Sequence, residues 1–134
     1  VLRERFLGLL GTETHWVFNK SRLLGLPGPG QVVSAVISGA HRQIAYSPEE
    51  VLKSVVRDLS DCVPAFAGAQ LRHSKVVKEP FATLSPVPGA EAKRPAPGSG
   101  IPGFLFAGDW TRTGFPATIE SACVSGELAA AKIN

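Results

Sequence analysis

The stretch that most constrains this chain runs from Gly103 to Asn134: Gly-Phe-Leu-Phe-Ala-Gly-Asp-Trp-Thr-Arg-Thr-Gly-Phe-Pro-Ala-Thr-Ile-Glu-Ser-Ala-Cys-Val-Ser-Gly, then an Ala-rich tail. An apolar run, a polar turn and a periodic apolar segment follow one another, which predicts strand, turn, helix. Phe104 to Ala107 have the short continuous apolar character of a buried parallel strand, stopped by Gly108-Asp109. Beyond Gly114, Pro116 is expected at the first helical position, where its missing N–H costs nothing. The helix so opened would bury a stripe through Ile119, Ala122, Cys123, Gly126, Ala130 and Ile133.

Such a connection puts the carboxylate of Asp109 and the free N–H groups of a helix N-terminus on one edge. Helix N-termini favour negative charge by roughly 0.3–1 kcal/mol, and a carboxylate accepts hydrogen bonds from hydroxyls. The pair therefore suits a ligand that is part polyol and part anion. Spacing alone is met equally well by an ordinary strand-helix pair in which Asp109 caps a turn.

The full run from Phe104 to Gly126 resembles the C-terminal flavin-binding motif of the FAD-dependent amine oxidoreductase and phytoene desaturase superfamily. Ala107-Gly-Asp-Trp-Thr with Thr113-Gly-Phe-Pro-Ala-Thr-Ile-Glu is most similar to the squalene-associated FAD-dependent desaturases, or hydroxysqualene dehydroxylases. The resemblance implies FAD as cofactor, bound through Gly108, Asp109, Trp110, Pro116, Ala117, Thr118 and Ile119. Asp109 would take the ribityl hydroxyls, and the backbone N–H near Ile119 would face the N1/C2=O edge of the isoalloxazine, where reduced flavin is negative. The run departs from the pattern at Ser121, where relatives usually carry Gly.

Composition closes several other routes. The chain has 134 residues, 44% hydrophobic and 19% charged, as an ordinary globular domain has. A formal charge of +3 from scattered Lys and Arg leaves no footprint for nucleic acid. No uninterrupted apolar stretch reaches the ~18 residues of a membrane span, and no signal-peptide pattern is present. Cys62 and Cys123 lack metal or redox spacing and are expected as small buried residues. His15, His41 and His73 stand apart without metal-site spacing, and each is expected on the surface or in packing.

A chain binding a dinucleotide by itself normally shows Gly-x-Gly-x-x-Gly after its first strand, and this one does not. Gly25, Gly28 and Gly30 are interleaved with prolines and read as a loop. The sequence begins without Met, and the expectation is a C-terminal piece of a longer flavoenzyme whose N-terminal FAD domain carries the pyrophosphate site.

In chain order, Leu2, Phe6, Leu9 and Leu10 have helical spacing, ended at Gly11-Thr-Glu-Thr. His15 to Asn19 alternate as a strand, and Gln31 to Ser38 are expected to pair with it antiparallel after a loop from Lys20 to Gly30. Trp16 and Phe18 could line an apolar substrate cavity or sit in plain core. Ser47-Pro-Glu-Glu is a capping box with Pro at the first helical position, predicting a helix from Pro48 to about Ser60 that packs Val51, Leu52, Val55, Val56 and Leu59 on the sheet. Leu71 to Phe81 read as a further strand, placed at an edge by Pro80. The Pro- and Gly-rich stretch from Ala82 to Pro102 reads as a crossing between domains; Arg94-Pro95 could also lie near the flavin, although nothing in the spacing shows it.

The fold expected is α/β or α+β. A mixed sheet with a covering helix would come from a substrate domain, residues 1–102 with connector, and the last strand and helix of a Rossmann-like FAD domain from residues 103–134. The function implied is oxidoreduction of a long apolar isoprenoid, either hydroxysqualene reduction to squalene or phytoene-type desaturation. A flavin amine oxidase is the alternative enzyme, but its aromatic cage would need more than Tyr46 and the two Trp residues. A lipid-binding or interaction module without flavin would have no need to keep Asp109 and an intact turn. No side chain is singled out as acid or base. The expected setting is cytoplasmic, with peripheral contact at the inner membrane following from an apolar substrate rather than from any basic amphipathic helix. An exposed stripe through Ile119 and Ile133 would make the isolated piece sticky or dimeric.

Overall fold

The computed structural model describes residues 2–133 and resolves into two compact units, Val1–Lys78 and Glu79–Asn134. The elements mix strands and helices, an α+β arrangement.

In the first unit, β1 (Phe6–Gly8), β2 (Trp16–Asn19) and β3 (Val33–Val36) form an antiparallel sheet in the order β1-β2-β3. Pairing sets Leu7 against Val17 and Val17 against Ala35 on one face, and Phe6 against Phe18 and Trp16 against Val36 on the other. The first face is the core. Leu2, Leu9, Val17 and Leu59 are buried there, with Leu7, Val33, Val55, Val63 and Phe66 packed round them. Fully burying each such side chain is worth about 1.5–3 kcal/mol.

The helix expected near residues 2–10 is instead strand β1. Positions 2, 6, 9 and 10 satisfy a helical period, but Phe6 and Gly8 face one side of a sheet and Leu7 the other. Cross-strand pairing with the aromatic β2 decides between the two patterns. The sheet is antiparallel throughout rather than mixed. The loop after β2 holds a short helix, α1 (Lys20–Leu24), capped by Asn19 Oδ1, which accepts from Arg22 N at 3.0 Å, and ended by Gly25 at φ 62°.

The helix α2 (Pro48–Cys62) has the expected capping box and Pro start. Its inward face differs from the apolar stripe, because Ser54 and Asp58 are buried beside Leu59 whereas Val56 is exposed. Those polar residues hold the β1–β2 loop: Ser54 Oγ donates to Glu13 Oε2 at 2.6 Å, and Thr14 N donates to Asp58 Oδ2 at 2.9 Å. Cys62 and Cys123 are both exposed, contrary to their expected burial.

Leu71 to Phe81 form no strand. Val77 is 75% and Phe81 91% exposed, so a β-prone run without a neighbouring edge stays irregular. Lys78 Nζ anchors part of it, donating to the carbonyls of Ile44 and Tyr46.

In the second unit, the segment from Ala82 to Pro102 contains one helical turn, α3 (Ala90–Lys93), and the unit ends on α4 (Ile119–Ala130). Phe104 to Ala107 do not make the expected buried strand. Leu105 forms a single antiparallel bridge to Gly98, Phe106 N donates to Pro97 O at 2.8 Å, and Phe104 is exposed. A parallel strand needs parallel neighbours, and none stands beside it among the described residues.

Candidate functional site

The turn between Ala107 and α4 is built from glycine geometry and buried hydroxyls. Gly108 adopts φ 145°, and a Cβ there would fall 2.7 Å from Cδ1 of Trp110 and closer still to its Nε1. Only glycine suits both constraints. Gly108 N donates to Ser125 Oγ at 2.7 Å, and Thr111 Oγ1 lies 2.9 Å from Gly108 O and 2.8 Å from Ser125 Oγ. Gly114, at φ 83°, turns the chain towards the helix.

The helix starts later than Pro116. Thr118 is the N-cap, extended at φ −140° and ψ 171°, and its Oγ1 accepts from Ser121 N at 3.3 Å. A capping hydroxyl satisfies an otherwise orphaned amide, whereas Pro116 only pre-sets φ, so the cap fixes the boundary and Pro116-Ala117 stay in the turn.

α4 also turns an unexpected face inward. Ser121, Ser125 and Ala129 are buried at i, i+4, i+8 spacing, while Ile119, Cys123, Gly126, Ala130 and Ile133 are exposed and Ala122 is half-buried. The buried serines face the turn, where main-chain groups and Arg94 give them partners, so their hydroxyls are buried without penalty.

Arg94 completes the site. Taken from the sequence as part of a connector, it is 4% exposed. Nη2 donates to Asp109 O at 2.7 Å and Ser121 Oγ at 3.1 Å, Nη1 to Phe115 O at 2.6 Å and Glu91 Oε2 at 2.7 Å, and Nε to Trp110 O at 3.4 Å. A guanidinium has five N–H donors in a fixed plane, and each meets an acceptor here. Ser121 Oγ sits in the same cluster, 3.2 Å from Asp109 O and 2.7 Å from Thr113 Oγ1. The legible signal was slight: a lone Arg before Pro95 in a Pro-rich stretch, with extended backbone.

The outcome is a turn held at Gly108 N, Asp109 O, Trp110 O and Phe115 O by side chains of Ser125 and Arg94. The half-buried Asp109 carboxylate accepts no hydrogen bond among the described residues, although Asp109 O is held twice. The first amides of α4, at Ile119 and Glu120, precede any possible i−4 partner inside the helix. Trp110, next to Asp109 in sequence, is partly exposed and edge-on to Phe106 at 5.5 Å. An unpaired carboxylate and unpaired amides fit the hydroxyls and anionic edge of FAD. Gly108, Asp109, Trp110, Pro116, Ala117, Thr118 and Ile119 thus all lie on one turn and the helix end it feeds.

Trp16 and Phe18 lie in the other unit. With Phe6 they form an aromatic cluster on the outer sheet face, at centroid separations of 6.2–6.4 Å. Trp16 is 45% and Phe6 54% exposed, so this face is open apolar surface rather than core. The same unit has a polar concavity of about 650 Å³ lined by Glu13, His15, His41, Arg42, Arg57 and Asp58. Its lining does not suit an apolar ligand. There Ser54 donates to the Glu13 carboxylate and holds it below the usual range, against a smaller effect of burial. His15 Nδ1 accepts from Ser38 N at 3.0 Å. Among the described residues no cluster of His, Cys, Asp or Glu could hold a metal ion.

A glycine-shaped turn with a free carboxylate, leading into a capped helix end, offers an acceptor and helix-end donors that suit a cofactor carrying hydroxyls and negative charge. The chain belongs to the flavin containing amine oxidoreductase family, which matches it across residues 1–134. The cofactor of that family is FAD. Hydroxysqualene dehydroxylase of Sinorhizobium fredii is 35% identical over 95% of this chain and 28% of its own length. The 15-cis-phytoene desaturase of Solanum lycopersicum is 31% identical over 93% of this chain and 24% of its own length. Hydroxysqualene dehydroxylase of Zymomonas mobilis is 32% identical over 92% of this chain and 27% of its own length. The chain thus spans about a quarter of the length of the curated relatives it matches.

Proposed function

We propose that this chain is part of an FAD-dependent oxidoreductase that acts on a long apolar isoprenoid. Residues 103–134 supply the end of the FAD-binding domain, and residues 1–102 supply part of the substrate-binding domain with its connector. The observation that carries the reading is the unpaired Asp109 carboxylate on a turn that Arg94 and Ser125 brace through its main chain. Asp109 holds the ribityl hydroxyls of FAD, and the amides of Ile119 and Glu120 bind the edge of the ring that is negative when reduced. When bound, FAD supplies the hydride chemistry. The protein contributes orientation, a positive helix end and exclusion of water.

The aromatic face of Phe6, Trp16 and Phe18 forms part of the wall against which an isoprenoid packs. Its apolar character suits a substrate without charged groups, and the names of the relatives point to hydroxysqualene or phytoene. A chain working on such a substrate makes peripheral contact with the membrane that stores it, from the cytoplasmic side.

The test uses the full-length polypeptide carrying this sequence. Asp109→Ala removes an ionised acceptor worth roughly 1.5–3 kcal/mol per bond, so FAD affinity should fall about 10- to 150-fold by titration of flavin fluorescence. Retention equal to the wild type would overturn the site. Incubating the reduced holoenzyme with hydroxysqualene, and the oxidised holoenzyme with phytoene, then separates the two reactions by which substrate changes the flavin spectrum.

A further inference from the structure

Arg94 touches neither group proposed to bind flavin, yet it ties together the elements that carry them. Its guanidinium holds Asp109 O and Trp110 O at the start of the turn, Phe115 O near its end, and Ser121 Oγ in the first turn of α4. Asp109 O receives a second bond from Ser121 Oγ at 3.2 Å. The direction of a carboxylate follows its own backbone, and the position of free helix amides follows the helix end. One planar group therefore sets the separation between the Asp109 carboxylate and the α4 amides.

We propose that Arg94 is a positioning residue for the cofactor, holding the Asp109–Phe115 turn and the start of α4 in the geometry that binds FAD. The proposal rests on the flavin site described above. Arg94 is buried and comes from a segment that otherwise carries little regular structure, so its donors are committed to this one task. Lysine keeps the charge but offers three donors from a single nitrogen, and cannot span acceptors spread over the turn and the helix. Glu91 pairs with Nη1 from a side chain 59% exposed, and serves as the outer contact rather than as part of the turn.

The experiment measures FAD dissociation constants for the full-length apoprotein by flavin fluorescence, well below its melting temperature, together with the absorption spectrum and reduction potential of bound flavin. The variants are Arg94→Lys, Asp109→Ala, the double variant and Glu91→Gln. Arg94→Lys should weaken binding at least tenfold and shift the potential of the flavin that remains, and Glu91→Gln should change binding less than threefold. If Arg94 acts through Asp109, the double variant binds no more weakly than the product of the two single losses and measurably better than that product predicts.

Wild-type affinity and potential in Arg94→Lys, with Asp109→Ala impaired, would overturn the positioning role and leave the flavin site standing. Wild-type affinity in both would overturn the flavin site as well. Strictly multiplicative losses with an unchanged potential would reduce Arg94 to general stability. Where Arg94→Lys does not fold, Ser121→Ala removes the second bond to Asp109 O while leaving the guanidinium. It should weaken FAD about threefold, and an unchanged affinity there would also count against the proposal.

Discussion

The main-chain N–H of Thr14 donates to Oδ2 of Asp58 at 2.9 Å, joining residues 44 apart and pinning the β1–β2 loop to α2. Burial raises the Asp58 pKa, but the hydrogen bonds from Thr14 and the Arg57 guanidinium at 3.2 Å outweigh it and leave the carboxyl below its ordinary value. A depressed folded-state pKa gives stability that is present above the unfolded value, about 4, and is lost as pH falls through the folded value. Urea unfolding followed by Trp fluorescence should therefore show a fall in stability below about pH 4 that Asp58→Asn flattens. At pH 7, Asp58→Ala should cost about 1–3 kcal/mol, since the buried Thr14 N–H loses its acceptor. An identical acid limb in Asp58→Asn would remove this carboxylate from the account.

Ser47 and Glu50 exchange bonds at the start of α2: Glu50 N donates to Ser47 Oγ at 3.1 Å and Ser47 N to Glu50 Oε2 at 2.6 Å. Ser47→Ala should destabilise by about 1 kcal/mol and Ser47→Gly by less, read from denaturant midpoints at constant slope. Equal stability of Ala and wild type would mean that core packing of Leu59 alone sets the helix.

That capping box was readable because all of its information lies within four residues, Ser47 to Glu50. The strand through Trp16 and Phe18 was readable for a similar reason, its alternation being local. What failed depended on distant partners. Leu2 to Leu10 fit two periods at once, and only the register with β2 selects the strand. Leu71 to Phe81 have strand composition but no edge to join. Ser121 and Ser125 interrupt an apolar pattern, and partners outside the helix make their burial favourable, among them Arg94 and the Gly108 amide, 27 and 17 residues away. At the turn before α4, Gly108, Asp109 and Thr118 were legible as a motif, while the guanidinium that braces the turn was not.

Gly108→Ala tests the turn independently of charge. At φ 145° an L-residue is strained, and the added methyl would meet the Trp110 indole. The full-length protein should lose FAD affinity at least tenfold while the melting of the first unit, reported by Trp16, is unchanged. Gly108→Ala/Trp110→Ala should recover part of the loss if the collision dominates and none if backbone strain does.

The last prediction concerns the outer sheet face. Trp16 stacks on Phe18 at 6.4 Å and 27° and packs on Phe6 at 6.2 Å, yet remains 45% exposed. Its side chain contributes less to folding than the fully buried Val17 behind it, so Trp16→Ala should lower stability by under about 1.5 kcal/mol, whereas Val17→Ala should cost about 2–3 kcal/mol through lost burial and a cavity. If the face packs against an isoprenoid, removing an indole takes away roughly 80 Å² of apolar contact, or about 2 kcal/mol, and kcat/KM should fall about 30-fold with FAD affinity intact. Val17→Ala should show the opposite pattern, lower stability with kcat/KM near wild type at permissive temperature. A Trp16→Ala enzyme with unchanged kcat/KM would remove this face from the substrate wall and leave its exposed aromatics to be covered by another part of the protein.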